Sequence, residues 1–137
     1  MAAIAHGSAS VTEDVDVCVR FDEETVGRLA RALSDLHPVE RMSVQRRPVT
    51  DWSRFIGNRN LYLATDWGVL DLLGELSGLG AWERVAAHAV TLDLGPDLRV
   101  KVVGLSDLIA SKRAVARPKD LRVARELENV LAKLEKP

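Results

Sequence analysis

The segment that most limits what this chain can fold into is Asp14 to Phe21, which runs without a break into Asp22 to Leu36. Between Asp14 and Phe21 the residues alternate. Val15, Val17 and Val19 fall on one face, and Asp14, Asp16, Cys18 and Arg20 fall on the other. That pattern predicts a strand with one core-facing side. Asp22 is suited to cap a helix, and Val26, Leu29, Ala30, Leu33 and Leu36 then recur at helical spacing until His37-Pro38 stops the run. A half-buried strand feeding an amphipathic helix implies mixed α/β layers.

The rest of the chain keeps to that class. A helical stub at Met1 to His6 stops at Gly7-Ser8. Arg41 to Asn60 has no sustained period, and a strand is expected near Met42 to Gln45 before a loop. Leu61 to Thr65 and Val69 to Leu73 read as a hairpin around Asp66-Trp67-Gly68, and Val90 to Leu94 with Leu98 to Val102 as a second around Gly95-Pro96-Asp97. Trp82 to Ala87 reads as a short helix. Two helices end the chain. The first is expected to be capped by Ser106 or Asp107, and the second starts at Pro118 and carries Leu121, Ala124, Leu127, Leu131 and Leu134 as an apolar stripe. The expected fold is α/β (α+β), a mixed sheet flanked by helices, in one domain over residues 1–137.

Charge and cysteine content narrow the function. With 19 Lys plus Arg against 20 Asp plus Glu, the formal charge is -1, which argues against coating nucleic acid by bulk charge. Cys18 is the single cysteine, and no long apolar run is present, so the expected location is the cytoplasm, without membrane insertion.

Asp14 and Asp16 lie two apart on the predicted strand, so their carboxylates project from one face, close enough to share a divalent cation and close enough to repel. Magnesium takes hard oxygen ligands, commonly one or two carboxylates plus substrate phosphates. The alternative is a solvated strand face. Lys112, four residues after Leu108 and seven after Leu105, sits within an apolar stripe, either snorkelling to water or meeting a phosphate.

Four blocks in order resemble the minimal nucleotidyltransferases related to AbiEii-type toxins of bacterial toxin–antitoxin systems. They are Ala3-Ile4-Ala5-His6-Gly7-Ser8 with Val11-Thr12-Glu13-Asp14-Val15-Asp16, then Gly68-Val69-Leu70-Asp71-Leu72-Leu73-Gly74, then Leu108-Ile109-Ala110-Ser111-Lys112, then Arg117-Pro118-Lys119-Asp120. The resemblance implies that Asp14, Asp16 and Asp71 bind magnesium as the catalytic triad. It also implies that Lys112 meets the phosphates of a nucleoside triphosphate. Arg117 and Lys119 flank the helix junction, where the choice is between anion contacts at the next helix N-terminus and a solvated charged turn, the favoured reading. Asp71 shares a face with Val69 and Leu73; capping of backbone donors is its alternative role, and Asp66 and Asp93 compete for the place of third acid. The implied activity moves a nucleotidyl group to a hydroxyl of a protein or RNA, with an antitoxin as partner.

The chain departs from this pattern at its start. Five residues separate Ser8 from Asp14, too few for the family's phosphate-cradling glycine element, a helix and the return strand. The corresponding glycine pair would precede Met1, and Ser10 stands where many relatives carry arginine. The chain is therefore expected to begin one strand late, as a truncated or degenerate member or one whose true start lies upstream. A non-catalytic module acting through a protein partner or a homodimer is the second expectation, and an RNA-binding domain using Arg46, Arg47, Arg54 and Arg59 is the third. His6, His37, His88 and Cys18 lack metal-ligand spacing, and Trp52, Trp67 and Trp82 read as core and loop anchors.

Overall fold

The computed structural model describes residues 2–8 and 13–136. In chain order the elements are α1 (Ala2–Ala5), β1 (Asp14–Cys18), α2 (Glu23–Leu33), β2 (Val39–Glu40), β3 (Asn60–Thr65), β4 (Gly68–Leu73), β5 (Glu75–Leu76), β6 (Gly80–Ala81), α3 (Trp82–Ala87), β7 (Val90–Asp93), β8 (Arg99–Val102), α4 (Leu105–Val115) and α5 (Pro118–Leu134). The chain is mixed α/β and divides into two compact units, one of residues 13–75 and the other of residues 2–8 and 76–136.

The first unit is built on a four-stranded sheet in the order β1-β4-β3-β2. β1 runs parallel to β4, while β4, β3 and β2 pair antiparallel, so the sheet is mixed. The β3–β4 hairpin turns at Asp66-Trp67, where Thr65 pairs with Gly68 and Gly68 takes a φ of 121° that disfavours side chains. Strand alternation sends Leu61, Leu63, Leu70 and Leu72 to one face. There they pack with Val26, Leu29, Ala30 and Leu33 of α2 and with Trp52 and Phe55. Leu63 and Leu72 are essentially sealed from water, and each such side chain contributes about 1.5–3 kcal/mol of burial. Asp22 caps α2 by accepting from the Thr25 N–H at 2.7 Å, as its position before the helix predicts.

Three expectations need correction. The strand expected at Met42 to Gln45 lies instead at Val39–Glu40, because the chain turns from Ser43 to Arg46 (Arg46 N to Ser43 O, 3.0 Å) and Arg46 takes a left-handed φ of 43°. The valine face of β1 is covered only at its far end: Val19 is buried, whereas Val15 and Val17 are each 38% exposed, as befits an edge strand. The cap of α4 is Gly104, not Ser106 or Asp107; Asp107 lies inside the first turn, where its charge suits the helix dipole.

In the second unit α4 and α5 are joined through Ala116, in the left-handed region at φ 57°, and Arg117, with Pro118 opening α5. Leu108, Ile109 and Leu127 form its core, with Ala2, Ala3, Val103, Leu105, Val123 and Leu131 packed around them. β7 and β8 form the second hairpin, in register from Val90 opposite Val102 to Asp93 opposite Arg99.

Candidate functional site

The face of the sheet opposite the leucine core carries the acids. Parallel pairing sets Asp16 beside Asp71 and Asp14 beside Val69, so all three acidic side chains leave the same face. Neighbouring strands lie about 4.8 Å apart, which makes Asp16 and Asp71 cross-strand neighbours. On the other side of Asp71, β3 places Tyr62 in register. Of the candidates for third acid, Asp71 is the one aligned with Asp16. Asp66 lies in the β3–β4 turn and pairs with His37 (Nδ1 to Oδ2, 2.7 Å), and Asp93 belongs to β7 of the second unit.

Sequence reasoning missed the residue that most alters this face. The Arg41 N–H bonds to the Tyr62 carbonyl at 2.9 Å, which continues the β2 edge by one residue. The Arg41 guanidinium donates through Nη2 to Asp71 Oδ1 at 2.6 Å and lies 5.7 Å from the centre of the Tyr62 ring. The Asp71 hydrogen bond holds the guanidinium above its ordinary pKa; burial opposes this, and the charges of Asp71, Asp14 and Tyr62 add to it. No spacing in the sequence announces the pair, since thirty residues separate its members and Arg41 falls in the segment without periodicity.

The acids do not form a ready-made three-carboxylate cage. Among the described residues no group of three or more His, Cys, Asp or Glu side chains is placed to hold a metal ion. The donor chemistry nonetheless suits magnesium, which binds through one or two carboxylates and completes its shell with water and substrate phosphates. Asp16 and Asp71 supply two hard oxygen donors on adjacent strands. Beside Tyr62 a cavity of about 260 Å³ opens between Met42, Ser43, Asn58 and Asn60.

Lys112, Arg117 and Lys119 belong to the second unit. Asp120, 2% exposed in the first turn of α5, accepts from Arg117 Nε at 2.6 Å and from Lys112 Nζ at 3.3 Å. Burial pushes the Asp120 carboxyl up, but the Arg117 hydrogen bond and the Lys112 charge outweigh it and leave it below the ordinary carboxylate value. Lys112 and Arg117 therefore already balance a buried acid, and Lys119 is exposed beside them. A signal for Asp120 was present: it stands two residues after a proline suited to open a helix, where a carboxylate complements the helix dipole.

The remaining singled-out residues take structural places. His6 bonds through Nε2 to the Val103 carbonyl at 2.8 Å, and buried Ser8 donates to Glu126 at 2.9 Å. Ser10, Val11 and Thr12 lie outside the described residues, as does Met1. Trp52 is a core anchor and Trp67 an exposed turn residue. Arg54 is engaged with Glu40 and stacks on Phe55, and Arg47 bonds to Gln45.

Compared with known protein families, the chain matches no family's sequence profile. No characterised protein matches it at a significant level. No helix among the described residues is long and apolar enough to cross a membrane.

Proposed function

We propose that the Asp14, Asp16 and Asp71 face binds a magnesium–nucleoside triphosphate and supports transfer of its nucleotidyl group to a hydroxyl of a protein or RNA, in a toxin–antitoxin setting. The observation that carries this reading is the register of β1 and β4, which sets Asp16 beside Asp71 on the face that also bears Asp14. In this reading Asp14, Asp16 and Asp71 would hold magnesium, which would supply charge compensation to the phosphates. The acceptor oxygen would bond to the α-phosphorus as pyrophosphate leaves. The protein's own part is to orient the nucleotide: Asp14 and Asp16 hold its cation-bearing end, and one carboxylate accepts the proton of the acceptor hydroxyl. The cavity beside Tyr62 offers the nucleoside a partly polar recess. The test is transfer of label from an α-labelled triphosphate to RNA or protein: Asp16→Ala should abolish labelling with the circular dichroism spectrum unchanged, and retained labelling would refute the assignment.

A second reading is a non-catalytic module that works through a protein partner or self-association. The Arg41–Asp71 ion pair favours it, since it neutralises an acid that the transfer chemistry would use. β1 favours it too, because among the described residues that strand pairs on one side only. Light scattering after size exclusion separates the two: a dimer without nucleotide affinity supports the module, and a nucleotide-binding monomer supports the enzyme.

A further inference from the structure

Resting on the nucleotide-binding reading, we infer that Arg41 is a specificity-determining counter-ion, which keeps Asp71 from free divalent cations and yields it only when a nucleotide's phosphates engage the guanidinium. Three observations carry this. The first is position: Arg41 stands on the acidic face, with Nη2 2.6 Å from Asp71 Oδ1 and the guanidinium over Tyr62. With Arg41 in place, a cation approaching Asp71 meets a like charge beside a carboxylate whose Oδ1 is already engaged in a charge-assisted hydrogen bond.

The second is the form of the contact. A guanidinium can offer Nε and Nη together to a carboxylate or phosphate, and paired contact is its strongest mode. Here Asp71 receives Nη2 alone, and buried Nε has no hydrogen-bond partner among the described residues. The pair is thus singly bonded and leaves a donor unsatisfied; because Nε is sealed from solvent, the guanidinium has to swing away from Asp71 to present Nε and Nη together to a phosphate. The third is charge. Three carboxylates and one guanidinium share the face, and among the described residues no three His, Cys, Asp or Glu side chains are placed to hold a metal ion. A metal–nucleotide complex brings both the cation that Asp71 lacks and the anion that Arg41 then needs. Free metal brings only the first.

Titration calorimetry with Mn²⁺ alone and with Mg·ATP, on the full chain and on Arg41→Gln, tests the inference. Removing a positive charge at contact distance should tighten Mn²⁺ binding by about tenfold or more, while Mg·ATP binding weakens. Arg41→Lys, which keeps the charge, should leave Mn²⁺ binding as weak as in the wild type. A readout that needs no variant is the Arg41 Nε–H resonance of the wild type, which should shift with Mg·ATP and stay put with Mg²⁺ alone. Equal Mn²⁺ affinity in wild type and Arg41→Gln, with Mg·ATP still bound, overturns the role of Arg41 and spares the nucleotide site. An Nε–H resonance that responds equally to both ligands does the same. Failure of every form to bind Mg·ATP overturns both.

Discussion

Replacing Asp120 by alanine removes a carboxylate that is 2% exposed and takes away the acceptor of Arg117 at 2.6 Å and of Lys112 at 3.3 Å. A hydrogen bond to a charged group contributes about 1.5–3 kcal/mol, and the closer Arg117 contact should dominate. Stranding a buried charge costs about 3–5 kcal/mol, but that figure is a ceiling at this site. The Lys112 side chain is 27% exposed and that of Arg117 59%, so both cations can turn to water once their partner is gone. The carboxylate also faces the N-terminal end of α5, worth about 0.3–1 kcal/mol. The expected loss is therefore about 2–3 kcal/mol, read as a shifted urea midpoint or a melting temperature lower by roughly 6–15 °C. The same site has a pH signature. Because the Asp120 carboxyl is held below its ordinary value, its stabilisation is present above the unfolded carboxylate pKa of about 3.9 and fades as pH falls through the lower folded value. The Asp120→Ala variant should lack that component of the acid limb. A loss under about 0.5 kcal/mol would refute the view that this acid staples α4 to α5.

Two further outcomes follow from local geometry. A Cβ at Gly74 would sit 2.6 Å from the Arg59 carbonyl oxygen, so Gly74→Ala should lower the urea midpoint by an amount equivalent to about 1–3 kcal/mol. His37, bonded at 2.7 Å to Asp66, should titrate by NMR above about 6.5, and Asp66→Asn should bring it back. Its raised value means that any stabilisation it gives is complete below the unfolded pKa and is lost as pH rises through the folded one.

What the sequence disclosed, and what it hid, follows from the range of the interactions. Alternation in Asp14 to Phe21 and the glycine turn at Gly68 are local signals: they located β3 and β4 to within one residue and the start of β1, which ends at Cys18 rather than at Phe21. With those strands in place, the period of two assigned Asp14, Asp16 and Asp71 to their sides of each strand, and the pairing of β1 with β4 brought the sides together. The partner of Asp71 was hidden, because Arg41 reaches it only through the fold, from a segment that turns between Ser43 and Arg46 where a strand was expected. The stripe position of Lys112 was legible, yet its occupant is the buried carboxylate of the next helix. Gly104 caps α4 where polar capping residues stood close by, because Val103 and Leu105 pack into the core and fix where the helix begins.

The central claim is that the acidic face of the sheet receives a metal–nucleotide. Amide NMR of the ¹⁵N-labelled chain with substoichiometric Mn·ATP tests it directly, since the paramagnetic ion broadens only the resonances near where it binds. Broadening should be strongest at Asp16, Asp71 and Tyr62 and should vanish in Asp16→Asn. Uniform spectra on addition of Mn·ATP, or broadening centred elsewhere and indifferent to Asp16→Asn, would contradict the account.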